Sequence, residues 1–278
     1  MIIKSLIKTT AAAALLFAVA PSAPAFSLDK LSEIIAGRSD AEKARDQYRH
    51  PEETLRLFGI EEGMTVIDAL PGSWYGNILA ELLGPDGRYI GVRYGEWRAK
   101  IRHGDDWKEK WAKEKANHEA WPAKAAAYGD GAGSPKAEAY FFPGMPASLD
   151  ASADAWLFFR ALHHTNRYDP KYLDMTAADA FRVLKSGGVA GVVQHRAKED
   201  RDEAWANGSN GYLKQSRVVE AFTKAGFVLE TESEINANPK DQANVGDTVW
   251  RLPPANKKNP ETLAIGESDR MTLVFRKP

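Results

Sequence analysis

Met64-Thr65-Val66-Ile67-Asp68-Ala69-Leu70-Pro71-Gly72-Ser73-Trp74-Tyr75 reads as a short apolar strand ending on a carboxylate, a tight Pro-Gly turn, and the start of an amphipathic helix through Leu83. A strand–glycine turn–helix unit at the front of an α/β domain is where such folds bind nucleotide-like cofactors. The amides of the helix N-terminus face outward there, and an acidic residue takes a ribose or an amine. Asp68, Pro71, Gly72 and Ser73 are therefore candidate cofactor contacts. Trp74 and Tyr75, in the first helical turn, line the same pocket or belong to the core, and both readings stand.

Outward from this unit the chain alternates strands and helices. Residues 28–58 read as helical, with Pro51 at the first position of a helix. Strand one, Met64–Asp68, is followed through Gly84-Pro85-Asp86-Gly87 by strand two, Arg88–Tyr94. Residues 104–130, charged and bearing Trp107, Trp111 and Trp121, read as a helical insert. Strands follow at Ala137–Phe142 and Ala153–Phe159. A helix then opens at Asp169-Pro170 and stops at Ser186-Gly187-Gly188, before strand five at Val189–Gln194. Helix Gln215–Lys224, strand Phe227–Ile235, a loop over 236–259 and a last strand at Arg270–Arg276 complete the pattern. Alternation of this kind predicts an α/β fold with a Rossmann-like, doubly wound sheet. The last strand, reached by a long excursion, is compatible with an antiparallel seventh strand.

The first 25 of the 278 residues read as an export signal: Lys4 and Lys8, an apolar run from Ala11 to Ala20, and Ala23-Pro24-Ala25 as a cleavage site. The run is too short for a permanent membrane span. With no cysteine in the chain, neither a lipoprotein anchor nor a disulfide can form. The expected mature chain is Phe26–Pro278, in the periplasm. Losing Lys4 and Lys8 moves the formal charge from −1 to −3. No basic tract points to nucleic acid, and a small molecule is the expected partner. The expected organisation is a signal over 1–25, an N-terminal helical extension or lid over 26–60, and one α/β domain over 61–278.

Further segments carry a family resemblance: Arg45-Asp46-Gln47-Tyr48-Arg49-His50-Pro51, the Pro71-Gly72…Trp74-Tyr75 turn, Leu184-Lys185-Ser186-Gly187-Gly188, Gln194-His195-Arg196-Ala197, Ser233 to Asp241, and Ile265 to Leu273. In this order, over nearly the whole mature chain, they resemble an exported branch of the class I S-adenosylmethionine-dependent methyltransferases. The resemblance implies a seven-stranded sheet of the class I methyltransferase type, S-adenosylmethionine as cofactor, and a small or envelope-located methyl acceptor. It also places Arg160 with the cofactor, and Tyr48, Arg49, His164 and Arg196 with the substrate. The first turn departs from the family by one residue and two glycines. Phe159-Arg160-Ala161-Leu162-His163-His164 and Gln194 depart at further polar positions.

Strand two ends without a ribose-binding acid. Glu96 stands two residues late, as a cofactor contact or a solvated side chain. His163 and His195, just past strands four and five, are the candidate catalytic residues, as general bases or pocket walls. No carboxylate-bearing spacing supports a metal site. A methyltransferase is the leading expectation. The alternative is a non-catalytic periplasmic binding protein on the same fold, and a hydrolase using the three histidines has the least support.

Overall fold

Runs of β-branched and aromatic residues before Gly or Pro turns become the central strands, buried on both faces. The computed structural model describes residues 29–129 and 133–278; the signal expected over 1–25 lies outside them. Four short helices come first: α1 (Lys30–Gly37), α2 (Asp40–Lys43), α3 (Asp46–Arg49) and α4 (Pro51–Leu57). The helical stretch expected over 28–58 is thus divided, with His50 at φ 37° separating α3 from α4. Next come β1 (Thr65–Ala69), α5 (Ser73–Leu83), β2 (Arg88–Tyr94), α6 (Glu96–His103), α7 (Trp107–Glu119), α8 (Trp121–Ala125) and β3 (Lys136–Phe142). The second half holds β4 (Ala153–Phe159), α9 (His163–Tyr168), α10 (Lys171–Val183), β5 (Leu184–Ala197), β6 (Leu213–Lys214) and α11 (Gln215–Lys224). β7 (Val228–Ser233), α12 (Pro260–Ile265) and β8 (Arg270–Arg276) close the chain.

The strands order as β3-β2-β1-β4-β5-β8-β7, with the two-residue β6 beside the end of β5. β1 to β5 run parallel, and β8 runs antiparallel to both β5 and β7. This is the doubly wound sheet of the class I methyltransferase type. One face, carrying Ile67, Val92, Trp156 and Phe158, packs on α10 and α11 through Leu173, Ala177 and Phe222. The other, carrying Val66, Tyr89 and Leu157, packs on α5 through Ile78, Leu79 and Leu82, and on Leu55, Phe58 and Trp121.

β5 departs from expectation. It begins at Leu184, and Ser186-Gly187-Gly188 lies inside the strand instead of ending the helix. Ala153 pairs with Leu184 while Ala155 pairs with Val189, so the extra residues bulge out. Gly187 at φ 78° allows that bulge, and the Gly187 amide donates to the Lys277 carbonyl at 2.9 Å. The glycines thus carry the sheet out to the chain's last residues.

Candidate functional site

The turn after β1 lies at the C-terminal edge of the sheet, where the strand order reverses and ligands of such folds bind. Leu70 adopts φ 63°, a conformation that favours glycine, and its amide donates to the Val92 carbonyl at 2.8 Å. Gly72 precedes α5, which has no side-chain cap, so the amides of its first turn are free of intrahelical partners. A Cβ at Gly72 would meet nothing within 4 Å. Ser73 is exposed beside it.

Trp74 and Tyr75 fasten the N-terminal helices, with Tyr75 packed on the end of β4. Trp74 Nε1 donates to the Glu42 carbonyl at 3.0 Å, with the Arg38 and Arg49 guanidiniums 4.5 and 4.8 Å from its ring. Tyr75 stacks on Phe159 at 3.7 Å, and its hydroxyl donates to the Arg49 carbonyl.

Asp68 shares the Val66 face of β1 and is buried. Tyr89 on the neighbouring strand donates its hydroxyl to the carboxylate at 2.7 Å. Burial pushes the carboxyl up to about 7, against the lowering effect of that hydrogen bond and of Arg160. Its only hydrogen bond among the described residues is therefore inside the fold.

Beyond the turn, α6, α7 and α8 fold over the ends of β2 and β3 and bound a half-open cavity of about 710 Å³. Leu70 and Pro71 form one wall, Arg93 and Tyr94 another, and His164 reaches it from α9. The insert supplies Trp111, Trp121, Arg98, Arg102 and Lys124. Gly91 is what allows Trp121 to lie across β2: a Cβ there would stand 2.6 Å from the indole and 2.8 Å from Pro71. Tyr94 ties the two rims together by donating to the Ala161 carbonyl at 2.5 Å. Glu96 is not part of the cavity wall; it pairs with Lys100 one turn along α6.

From the cavity wall three imidazoles lead inward. The His164 ring lies 4.1 Å from that of His163, which lies 5.7 Å from that of His195. Gln194 orients His163: its amide nitrogen stands 3.4 Å from His163 Nδ1, and its carbonyl accepts from the Leu162 amide. His195 Nδ1 is paired with Ser268 Oγ at 2.5 Å. Burial lowers all three pKa values. Arg98 and Arg167 add to the effect at His164, which falls to about 4. All three rings are neutral at pH 7, so each can accept a hydrogen bond. Of the three, His164 is the one that meets the cavity.

The remaining expected contacts lie elsewhere. Arg196 is held by Asp269 and Glu234 at 2.9 and 2.6 Å. The Tyr48 ring packs on Gly266, where a Cβ would stand 2.4 Å from it. Buried Arg49 meets Glu267, which also receives Arg45 and Arg270. Arg160, at φ 59° just past β4, makes no side-chain hydrogen bond to a described residue. Among the described residues, no group of three or more His, Asp or Glu is placed to hold a metal ion, and no helix is long and apolar enough to cross a membrane.

An adenosyl cofactor finds some of its needs met. Trp111, Trp121 and Phe141 form aromatic walls for a purine, and the uncapped amides of α5 suit a carboxylate. No acid follows β2 for the ribose hydroxyls; Arg93 lines the cavity there instead. Sequence reading missed Arg93, Arg98, Arg102, Trp111, Trp121 and Lys124. The available signal was the pairing of Arg98 with Arg102 one helical turn apart.

Comparison with solved structures gives similar folds at low identity. A SAM-dependent methyltransferase from Aquifex aeolicus is 17% identical over 74% of this chain and 93% of that one, with a TM-score of 0.44. One from Methanosarcina mazei is 15% identical over 80% and 96%, with a TM-score of 0.42. The [4+2]-cyclase SpnF is 14% identical over 87% and 84%, with a TM-score of 0.47. The likeness is one of fold. No family model matches the chain, and no curated protein does.

Proposed function

We propose that the protein is an S-adenosylmethionine-dependent methyltransferase acting on a small or envelope-located acceptor. One observation carries this reading: a single cavity at the sheet's C-terminal edge is bounded both by the turn after β1 and by His164 beyond β4. Trp121, Phe141 and the first-turn amides of α5 would hold the cofactor, which supplies an electrophilic methyl group. The chain's own task is alignment: Tyr94 and Trp121 shape the cavity and exclude water. His164, neutral at pH 7, accepts a hydrogen bond from the acceptor and fixes its orientation. His163 and His195 support it from behind, with Gln194 and Ser268 holding their rings.

Calorimetric titration of the protein with S-adenosylhomocysteine tests the reading. Saturable binding is expected, weakened about tenfold or more by Trp121→Ala, a loss of about 1.4 kcal/mol. Absence of both heat and thermal shift at millimolar ligand would overturn it. A second reading, a non-catalytic small-molecule-binding protein on the same fold, is favoured by the missing acid after β2 and by the cavity's positive charge. The same negative result would leave that reading standing.

The domain organisation and location belong to the proposal too: residues 26–60 form a lid on a single domain, 61–278, and the leader directs the chain to the periplasm. Amino-terminal sequencing of the protein from a periplasmic extract should begin at Phe26. A protein that stays in the cytoplasm with Met1 to Ala25 attached would refute export.

A further inference from the structure

The charge around the cavity is one-sided. Arg98 and Arg102 project from one face of α6, Arg93 from β2 and Lys124 from α8, all lining the same space. None of the four has a carboxylate of a described residue within 4 Å, whereas Arg45, Arg49, Arg88, Arg196, Arg217 and Arg270 are all held in ion pairs. Arg98 Nε is buried and has no hydrogen-bond partner. The guanidinium of Arg98 lies 5.2 Å from the Tyr94 ring. Glu114 is the one acid in the wall, and His103 engages it at 3.4 Å. In the same lining, Trp111 meets Phe141 edge to face at 4.8 Å.

Unpaired cations lining one half-open space repel one another and gain from an anion placed between them. A guanidinium presents a planar fork that matches carboxylate and phosphate oxygens, and aromatic walls favour a flat body. We propose that this cavity binds a small planar molecule carrying a carboxylate or phosphate, with Arg98 and Arg102 as its anion-binding residues. The proposal rests on reading the cavity as the ligand site. In the methyl-transfer reading the anion belongs to the acceptor; in the second reading it belongs to the ligand itself.

The test uses the protein without a methyl donor, so its outcome is separate from that of the S-adenosylhomocysteine titration. Tryptophan fluorescence and calorimetry are followed with phenyl phosphate, benzoate and, as the neutral match, benzyl alcohol. Saturable binding of phenyl phosphate or benzoate, at least tenfold tighter than benzyl alcohol and weakened by salt, is expected. The tighter of the two anions identifies the head group. Arg98→Gln and Arg102→Gln should each weaken the preferred anion about tenfold, while Arg276→Gln, on the far edge of the sheet, should leave it unchanged. The proposal fails if neither anion binds, if benzyl alcohol binds equally well, or if both cavity variants retain the parent's affinity. Because Arg102 is exposed, its variant folds like the parent and keeps the test valid should Arg98→Gln prove unstable.

Discussion

Glu267→Ala is expected to destabilise the fold by about 3–5 kcal/mol, the usual cost of removing one partner from a buried ion cluster. Glu267 is 2% exposed and accepts from Arg45 Nε at 2.7 Å, from Arg49 Nε at 3.0 Å and from Arg270. Without the carboxylate, three guanidiniums face one another with no counter-charge. Burial alone would push the Glu267 carboxyl up, but Arg270, Arg49 and Arg45 outweigh it and bring the pKa down to about 2. The shift from an ordinary glutamate value is worth about 3 kcal/mol. Because the folded pKa is depressed, that stabilisation is complete above about pH 4.5 and is lost as the pH falls through about 2. Thermal unfolding checks both points. The variant should melt about 10 °C below the parent at pH 7, and the gap should narrow towards pH 2. Equal melting temperatures at pH 7 would refute the cluster's role.

Asp68→Asn should have the opposite sign. Burial raises the Asp68 carboxyl to about 7 in the folded protein, so the folded state binds a proton that the unfolded state releases near pH 4. Stability contributed by this group therefore falls as the pH rises between about 4 and 7, by up to about 4 kcal/mol. Asparagine keeps an oxygen for the Tyr89 hydroxyl and carries no charge to desolvate. The variant should gain most over the parent at pH 8 and little at pH 4. Affinity for S-adenosylhomocysteine should stay within about twofold, since Asp68 bonds Tyr89 inside the fold. A variant less stable than the parent at pH 8 would show that the ionised carboxylate is the form the fold prefers.

Much of the sheet was legible because its strands are continuous apolar runs between Gly and Pro turns. β2, β4 and β8 lie where the residues predict, and α11 ends before Gly226 as read. β5 was not fully legible. Two glycines ordinarily mark the end of an element, and their pairing with Lys277 depends on a residue some 90 positions away. α9 opens on adjacent histidines, which carry no start signal, whereas the break at His50 is marked by Pro51, which opens α4 as read.

The site was less legible than the fold. Asp68 was found as an acid at a strand end, yet the period of two along β1 puts it on the Val66 face, toward Tyr89. Trp74 and Tyr75 could equally have faced a ligand; their partners Glu42 and Arg49 belong to a lead-in segment whose docking no local pattern reveals. The cationic cavity left the weakest trace. Residues 104–130 read as a charged helical insert, and only its return over β2 and β3, with α6 before it, makes Arg98, Arg102 and Lys124 converge.

The Glu267 cluster also orders events in time. Its carboxylate and Arg270 lie more than 200 residues after Arg45 and Arg49. A chain made from its N-terminus has Arg45 and Arg49 long before the acid that gathers them. A chain that lacks residue 267 keeps the contacts of Trp74 and Tyr75 with its first helices but loses the counter-charge of Arg45 and Arg49.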